Sequence, residues 1–300
     1  MGADTSGEHD AWDLAQTVRD LQVRVAALEA AMARVPGGDH QVDSTVAAWG
    51  TPSRPDARLV ALEDAVTRLG GEARANDQDE WLGDYQTRVP ATVGEVAQVC
   101  NRIAGSWSST WSSPVVLSGI EWWVLDVVRD ETGHRALLLS DRVVTQCPYH
   151  KDESDITWEL SDLRRWLNNV FGWTLGMPLV LRVVTSKLTN EPNLVWDTAG
   201  GNDTADKFFL LSMQEAVEYL GKDKYVSWER IRKQGYYELG ERGAARSDDG
   251  ERTLWWLRSP GRYPNHAAAV FPNGVLPGFG RVAHEPSGGV RPAFWLNLQP

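Results

Sequence analysis

Cysteine is scarce: Cys100 and Cys147 are the only two in 300 residues. That rules out a disulfide framework and a Cys-rich zinc site, and two free buried thiols are favoured over one bridge. No apolar run approaches the ~18 residues of a membrane span, and no signal-peptide pattern opens the sequence. Met1-Gly2-Ala3-Asp4-Thr5-Ser6 matches a myristoylation pattern only formally, because nothing basic follows to supply a second membrane signal. Basic charge is also short. The formal net charge is −11, with seven Arg, no Lys and sixteen acidic residues over positions 1–85, and twenty-three basic against twenty-five acidic residues in the remainder. Neither part has the basic footprint of a nucleic-acid binder. The expected location is the cytoplasm, or a particle assembled there, without membrane insertion.

Enzymatic signatures are missing too. The six His, at 9, 40, 134, 150, 266 and 284, include no close pair at helical or zinc spacing. There is no Gly-rich phosphate loop and no Gly-x-Ser-x-Gly elbow. Cys147-Pro148-Tyr149-His150 sets a thiol near an imidazole, but the sequence names no third, orienting group. The expectation is a protein that is not an enzyme and has no metal or cofactor.

What the chain does hold is Trp, fifteen against six Phe, enough to pin a loop-rich domain. Leu14, Val18, Leu21, Val25, Leu28, Met32 and Val35 alternate in steps of four and three, a heptad seam stopped by Pro36-Gly37-Gly38. A shorter seam runs through Leu59, Leu62, Val66 and Leu69 to Gly70-Gly71, with residues 37–55 as a linker. The organisation expected is a coiled-coil oligomerisation arm with linker over 1–80 and a ligand-binding domain over 81–300. Self-association is preferred to packing on the same chain, with a trimer preferred.

In the second part, Thr92-Val93-Gly94-Glu95 is a capping box opening a short helix along Val96, Cys100 and Ile103. Residues 115–117, 121–129 and 135–140 read as strands, the last two as a hairpin. Leu163, Trp166, Leu167, Val170 and Phe171 mark a second helix, Lys207 to Leu211 a strand, and Ser212-Met213-Gln214-Glu215 a second capping box with a helix ending at Gly221. Trp255 to Gly261 and Gly289 to Leu298 read as buried strands around a loop rich in Pro and Gly. Short strands with two or three helices make an α+β domain.

Four ordered motifs carry a resemblance: Ser161-Asp162-Leu163-Arg164-Arg165-Trp166-Leu167-Asn168, Gly200 through Ser212, Trp255 through Gly261, and Gly289 through Leu298. The chain over 115–298 resembles a bacterial domain family related to the C-type lectin fold, in its formylglycine-generating-enzyme-like branch. Many proteins of that fold group are variable proteins of diversity-generating retroelements, in which adenine-directed copying rewrites surface-loop codons on a fixed frame. The resemblance implies a variable segment at 262–285, a fixed end at 289–298, and recognition of a protein or glycan receptor on a cell surface, as on a phage tail. Mutated AAC-type codons cannot give Lys, Gln, Glu, Met or Trp, and residues 259–284 contain none of them.

The candidate ligand-binding residues are therefore Arg262, Tyr263, Asn265, His266, Phe271, Asn273, Phe279, Arg281 and His284, side chains suited to a paratope. Phe271 has an alternative place in the core, because Ala267 to Phe271 reads as a strand. Trp255, Trp256, Arg258, Arg291 and Trp295 are expected to form the frame, with both Arg fastening loop backbone. Glu191-Pro192-Asn193 matches the sugar-and-calcium tripeptide of animal C-type lectins, but the downstream Trp-Asn-Asp is missing and the turn supplies few oxygens. Asn202, Asp203 and Asp206 read as an Asx turn in preference to a cation site. The alternative functions are an enzyme of the formylglycine-generating-enzyme-like branch and a structural particle protein. For the enzyme, the required cysteine chemistry near the C-terminal end is absent.

Overall fold

The structure, a computed structural model, describes residues 90–105, 114–130, 133–223 and 226–299, all within one compact unit, Asp56–Pro300. The coiled-coil arm and linker expected over 1–80, and the start of the domain at Trp81, lie outside the described residues.

The described part is mixed α+β, mostly sheet with a few helices. In chain order the strands are β1 (Val115–Leu117), β2 (Ile120–Asp130), β3 (Gly133–Ser140), β4 (Thr145–Gln146), β5 (Val183–Val184), β6 (Ser186–Leu188) and β7 (Thr204–Asp206). There follow β8 (Tyr236–Glu238), β9 (Trp255–Pro260), β10 (His266–Val270), β11 (Val275–Pro277), β12 (Arg281–Val282), β13 (Gly289–Val290) and β14 (Ala293–Asn297). One five-stranded sheet has the order β1-β2-β3-β14-β5 and a second the order β12-β10-β9-β13-β4. β11 with β8, and β6 with β7, form two small ribbons.

The expected hairpin is present: β2 and β3 pair antiparallel from Trp122↔Ser140 to Asp130↔Gly133, with a bulge between Val124 and Asp126. β3 is buried without a break from Ala136 to Ser140, and the C-terminal β14 pairs along its other edge, Ala293 opposite Leu139 and Asn297 opposite Arg135. Such continuous apolar burial marks a strand covered on both faces. β9 is likewise buried along its whole length.

Helix boundaries follow local chemistry. At Val93–Ala104, Thr92 accepts from the Glu95 amide while the Glu95 carboxylate accepts from Thr92, and Val96, Val99, Cys100 and Ile103 face inward. The same reciprocal box between Ser212 and Glu215 opens Met213–Leu220, which ends at Gly221. The second expected helix starts at Asp162, capped by Ser161, and widens into a π-turn over Leu167–Phe171. One expectation is corrected: Lys207 to Leu211 forms no strand; its apolar run is buried in the core with one bridge, Phe209↔Ala293. A further helix, Trp228–Gln234, and β8 follow Gly221.

Aromatic rings link the interior. Phe294 packs edge-on against Trp122 at 4.9 Å and lies 5.4 Å from Phe208, which meets Phe171. Tyr149 joins Trp158 and Trp256, at 6.1 and 6.0 Å between centroids. Each such ring fully buried contributes roughly 2–3 kcal/mol. Close approach fixes Gly288, where a Cβ would fall 2.0 Å from the Trp256 indole. Cys100 and Cys147 are both free and buried. Among the described residues, no helix is long and apolar enough to cross a membrane.

Candidate functional site: a loop face around Arg262

The frame comes first. Trp255 and Trp256 are fully buried, and their indole N–H groups donate to Gly243 O at 2.9 Å and to Cys147 O at 2.9 Å. Arg258 donates to Leu210 O at 3.0 Å and forks onto the Glu215 carboxylate, coupling β9 to the helix Met213–Leu220. Arg291, fully buried under Trp255, donates to Ser140 O and Arg242 O, both at 2.9 Å. Its burial lowers the guanidinium pKa to about 10. Both Arg therefore act as internal fasteners, while Trp295 is half-buried beside Arg135.

On that frame three segments meet. The turn after β9 is drawn in by Gly261 N donating to His266 O at 2.7 Å and Arg262 N donating to Phe279 O at 2.9 Å. Gly280, at φ +66, lies where a Cβ would stand 2.3 Å from Ala267 O, so only glycine lets β12 approach β10. The third segment, 193–198, is tied by Asn193, which is fully buried. Its Nδ2 donates to Pro260 O at 2.7 Å and Gly278 O at 2.9 Å, and its Oδ1 accepts from the amides of Val195 and Trp196. Thr198 adds a hydrogen bond to Arg262 O at 2.8 Å.

The result is an exposed face. The Arg262 guanidinium lies 4.2 Å over the Trp196 ring and 5.1 Å from that of Tyr263. Tyr263 in turn meets His266 edge-on at 5.2 Å, and His266 Nδ1 is 2.8 Å from Asn265 Oδ1. Burial, then the positive charges of Arg281 and His284, hold the His266 imidazole below its ordinary value. Arg281 pairs with Glu285 at 3.1 Å, and Arg232 with Asp197 at 3.2 Å. Trp196, Tyr263 and Phe279 are 44%, 50% and 47% exposed.

Of the nine residues selected from sequence, Arg262, Tyr263, Asn265, His266, Arg281 and His284 are thus neighbours in contact or charge. Phe279 joins through its carbonyl to the Arg262 amide. Phe271 is half-buried at the next turn and reaches the group only through Phe279, at 5.8 Å between rings. Asn273 is exposed, but its Oδ1 closes its own turn onto Val275 N at 3.1 Å. Trp196, Thr198 and the clamp Asn193 belong to the face and were not selected as such. Nothing in the local pattern at 193–198 connects it to residue 262.

The other polar motifs have internal duties. Every hydrogen-bonding atom of the Asn193 side chain is engaged, so Glu191-Pro192-Asn193 serves as a loop anchor. Asp203 accepts from Asn190 N at 3.1 Å, and the buried Asp206 accepts from Trp158, Thr204 and Arg164. His150 Nδ1 lies 2.5 Å from the buried Asp162 carboxylate. Asp162 also takes Lys151 N and Arg165, so it ties the 147–151 segment to its own helix. Burial raises the Cys147 thiol far above its ordinary value and keeps it protonated, the opposite of an activated nucleophile.

Comparison with curated proteins and with solved structures finds no match to this chain. Residues 133–298 match the family described as "Domain of unknown function (DUF6273)", and since this is more than half of the chain, the protein belongs to the DUF6273 family.

Proposed function

We propose that this chain is a ligand- or receptor-binding protein whose recognition surface is the loop face around Arg262, on a C-type-lectin-like domain. The observation that carries the reading is the Asn193 clamp. A single buried side chain fastens two loops to its own segment, and the exposed residues of the three include Trp196, Arg262, Tyr263 and Phe279. Large rigid aromatics and Arg at the surface are the composition of binding hot spots, and a rigid support lowers the ordering cost of binding. The division of exposure within 262–285 also supports a diversified binder of a retroelement. Arg262, Tyr263, Phe279 and Arg281 are exposed while Ala267 to Val270 are buried, so changes in the former leave the core untouched. The heptad pattern of residues 14–35 favours display on a homo-oligomeric stalk, a trimer by preference, raising weak affinity by about 10²–10⁴ where geometry permits.

The reading is tested by selecting ligands for the full chain from a random 12-residue peptide display library. Trp196→Ala with Tyr263→Ala should abolish binding of the selected clones, while Val116→Ala, at an exposed edge of the other sheet, should not. Clones indifferent to the loop-face substitutions would contradict it.

A further inference from the structure

Resting on the binding reading above, we propose that the loop face selects an acidic protein segment, with Arg262 as the group that takes its carboxylate. Among the described residues, the Arg262 guanidinium pairs with no carboxylate. Its neighbours differ: Arg281 is paired with Glu285 and Arg232 with Asp197. Arg262 is instead held by ring faces, Trp196 at 4.2 Å and Tyr263 at 5.1 Å. Contact with ring faces uses none of its N–H donors, which leaves them able to bind a carboxylate through two parallel hydrogen bonds.

The surroundings favour the same charge. His266 and His284 add imidazoles beside Arg281, so the face is cationic or neutral on a chain whose net charge is −11. A cationic patch attracts an acidic partner and suppresses cationic competitors. Trp196, Tyr263 and Phe279 beside the fork point to a protein segment, because Trp, Tyr and Arg are the residues enriched at protein–protein hot spots. The backbone beneath Arg262 is fixed from both sides, by its N–H to Phe279 O and by Thr198 Oγ1 to its own carbonyl, so the fork is presented from a rigid base.

The test uses the peptides selected from the random library on the full chain, so no acidic bias is imposed. Asp and Glu should be enriched at least about twofold among the selected clones, next to apolar residues. Exchanging those acids for Asn and Gln should weaken binding at least about tenfold, the loss of a charge-assisted pair. Arg262→Gln should cause the same loss, and Arg262→Lys most of it, with the near-ultraviolet circular dichroism of the Trp-rich fold unchanged. Clones without acid enrichment that still depend on Trp196 and Tyr263 would overturn the carboxylate inference and leave the binding face standing. Clones indifferent to Arg262, Trp196 and Tyr263 alike would overturn both. No enrichment of any clone, together with Arg262-dependent binding of polygalacturonate, would overturn the protein segment in favour of an acidic glycan. No binding of either probe would overturn the inference outright.

Discussion

Asn193 donates through one amide nitrogen to both Pro260 O and Gly278 O, so a single buried side chain sets the distance between the two halves of the exposed loop face. Asn193→Ala leaves two carbonyls and two amides without their partner. Each unsatisfied buried group costs about 1–3 kcal/mol, and relaxation recovers part of the sum, so a destabilisation of about 3 kcal/mol is expected in urea unfolding. Asn193→Asp should be at least as damaging, since it sets a carboxylate against the same two carbonyls. Ligand affinity should fall in both even where the fold persists.

Gly280→Ala tests the approach of β12 to β10. A Cβ there meets Ala267 O at 2.3 Å, and the backbone is in the left-handed region at φ +66. A loss of about 2–3 kcal/mol is expected from the clash and the conformation together. Gly274 also has positive φ, at +80, but a Cβ there has ordinary clearance of 3.6 Å. Gly274→Ala should therefore cost about 1–2 kcal/mol, from conformation alone. Equal losses in thermal unfolding would contradict the crowding at Gly280.

Arg164 donates to the buried Asp206 at 2.8 Å, and Asp206 also accepts from Trp158 and Thr204. Arg164→Ala strands a buried carboxylate, for which about 3–5 kcal/mol of destabilisation is expected. The double variant with Asp206→Asn should recover part of that loss, because the buried charge is then gone. A double-mutant cycle in denaturant reads this directly.

His266 supplies a pH dependence. Its folded value is depressed below 6.5, by burial and by Arg281 and His284, so the unfolded chain takes up this proton first as pH falls. The stability linked to His266 is full above pH ~6.5, decreases as pH drops through that value, and levels off once the folded imidazole also protonates. His266→Asn should flatten this part of the pH profile of unfolding free energy. In wild-type protein, an NMR titration should place the His266 midpoint below 6.5, and Arg281→Gln should move it upward.

What the sequence discloses follows the range of the interactions. Both capping boxes, Thr92 with Glu95 and Ser212 with Glu215, join residues three apart, so the helices behind them were legible. The β2–β3 hairpin was legible because its apolar strands flank a short polar turn. The helix Trp228–Gln234 was not, because it buries only Ile231 and shows no apolar stripe. Lys207 to Leu211 was misread because burial in the core gives the same apolar run as a strand ladder. The loop segment 262–285 could be chosen from its Pro and Gly punctuation and its flanks. Trp196 could not, because its pairing with Arg262 is made only in three dimensions, through the Asn193 clamp.

The measurement that bears most directly on a diversified binding face is the sequence of the DNA flanking this gene. Diversification predicts a reverse-transcriptase gene and a near-copy of the codons for residues 262–298. The two copies would differ mainly at adenines, with the differences falling on exposed positions such as Arg262, Tyr263, Phe279 and Arg281 and sparing Ala267 to Val270, Gly280 and Gly288. A flank with neither gene nor near-copy, or differences concentrated in the buried codons, would contradict it.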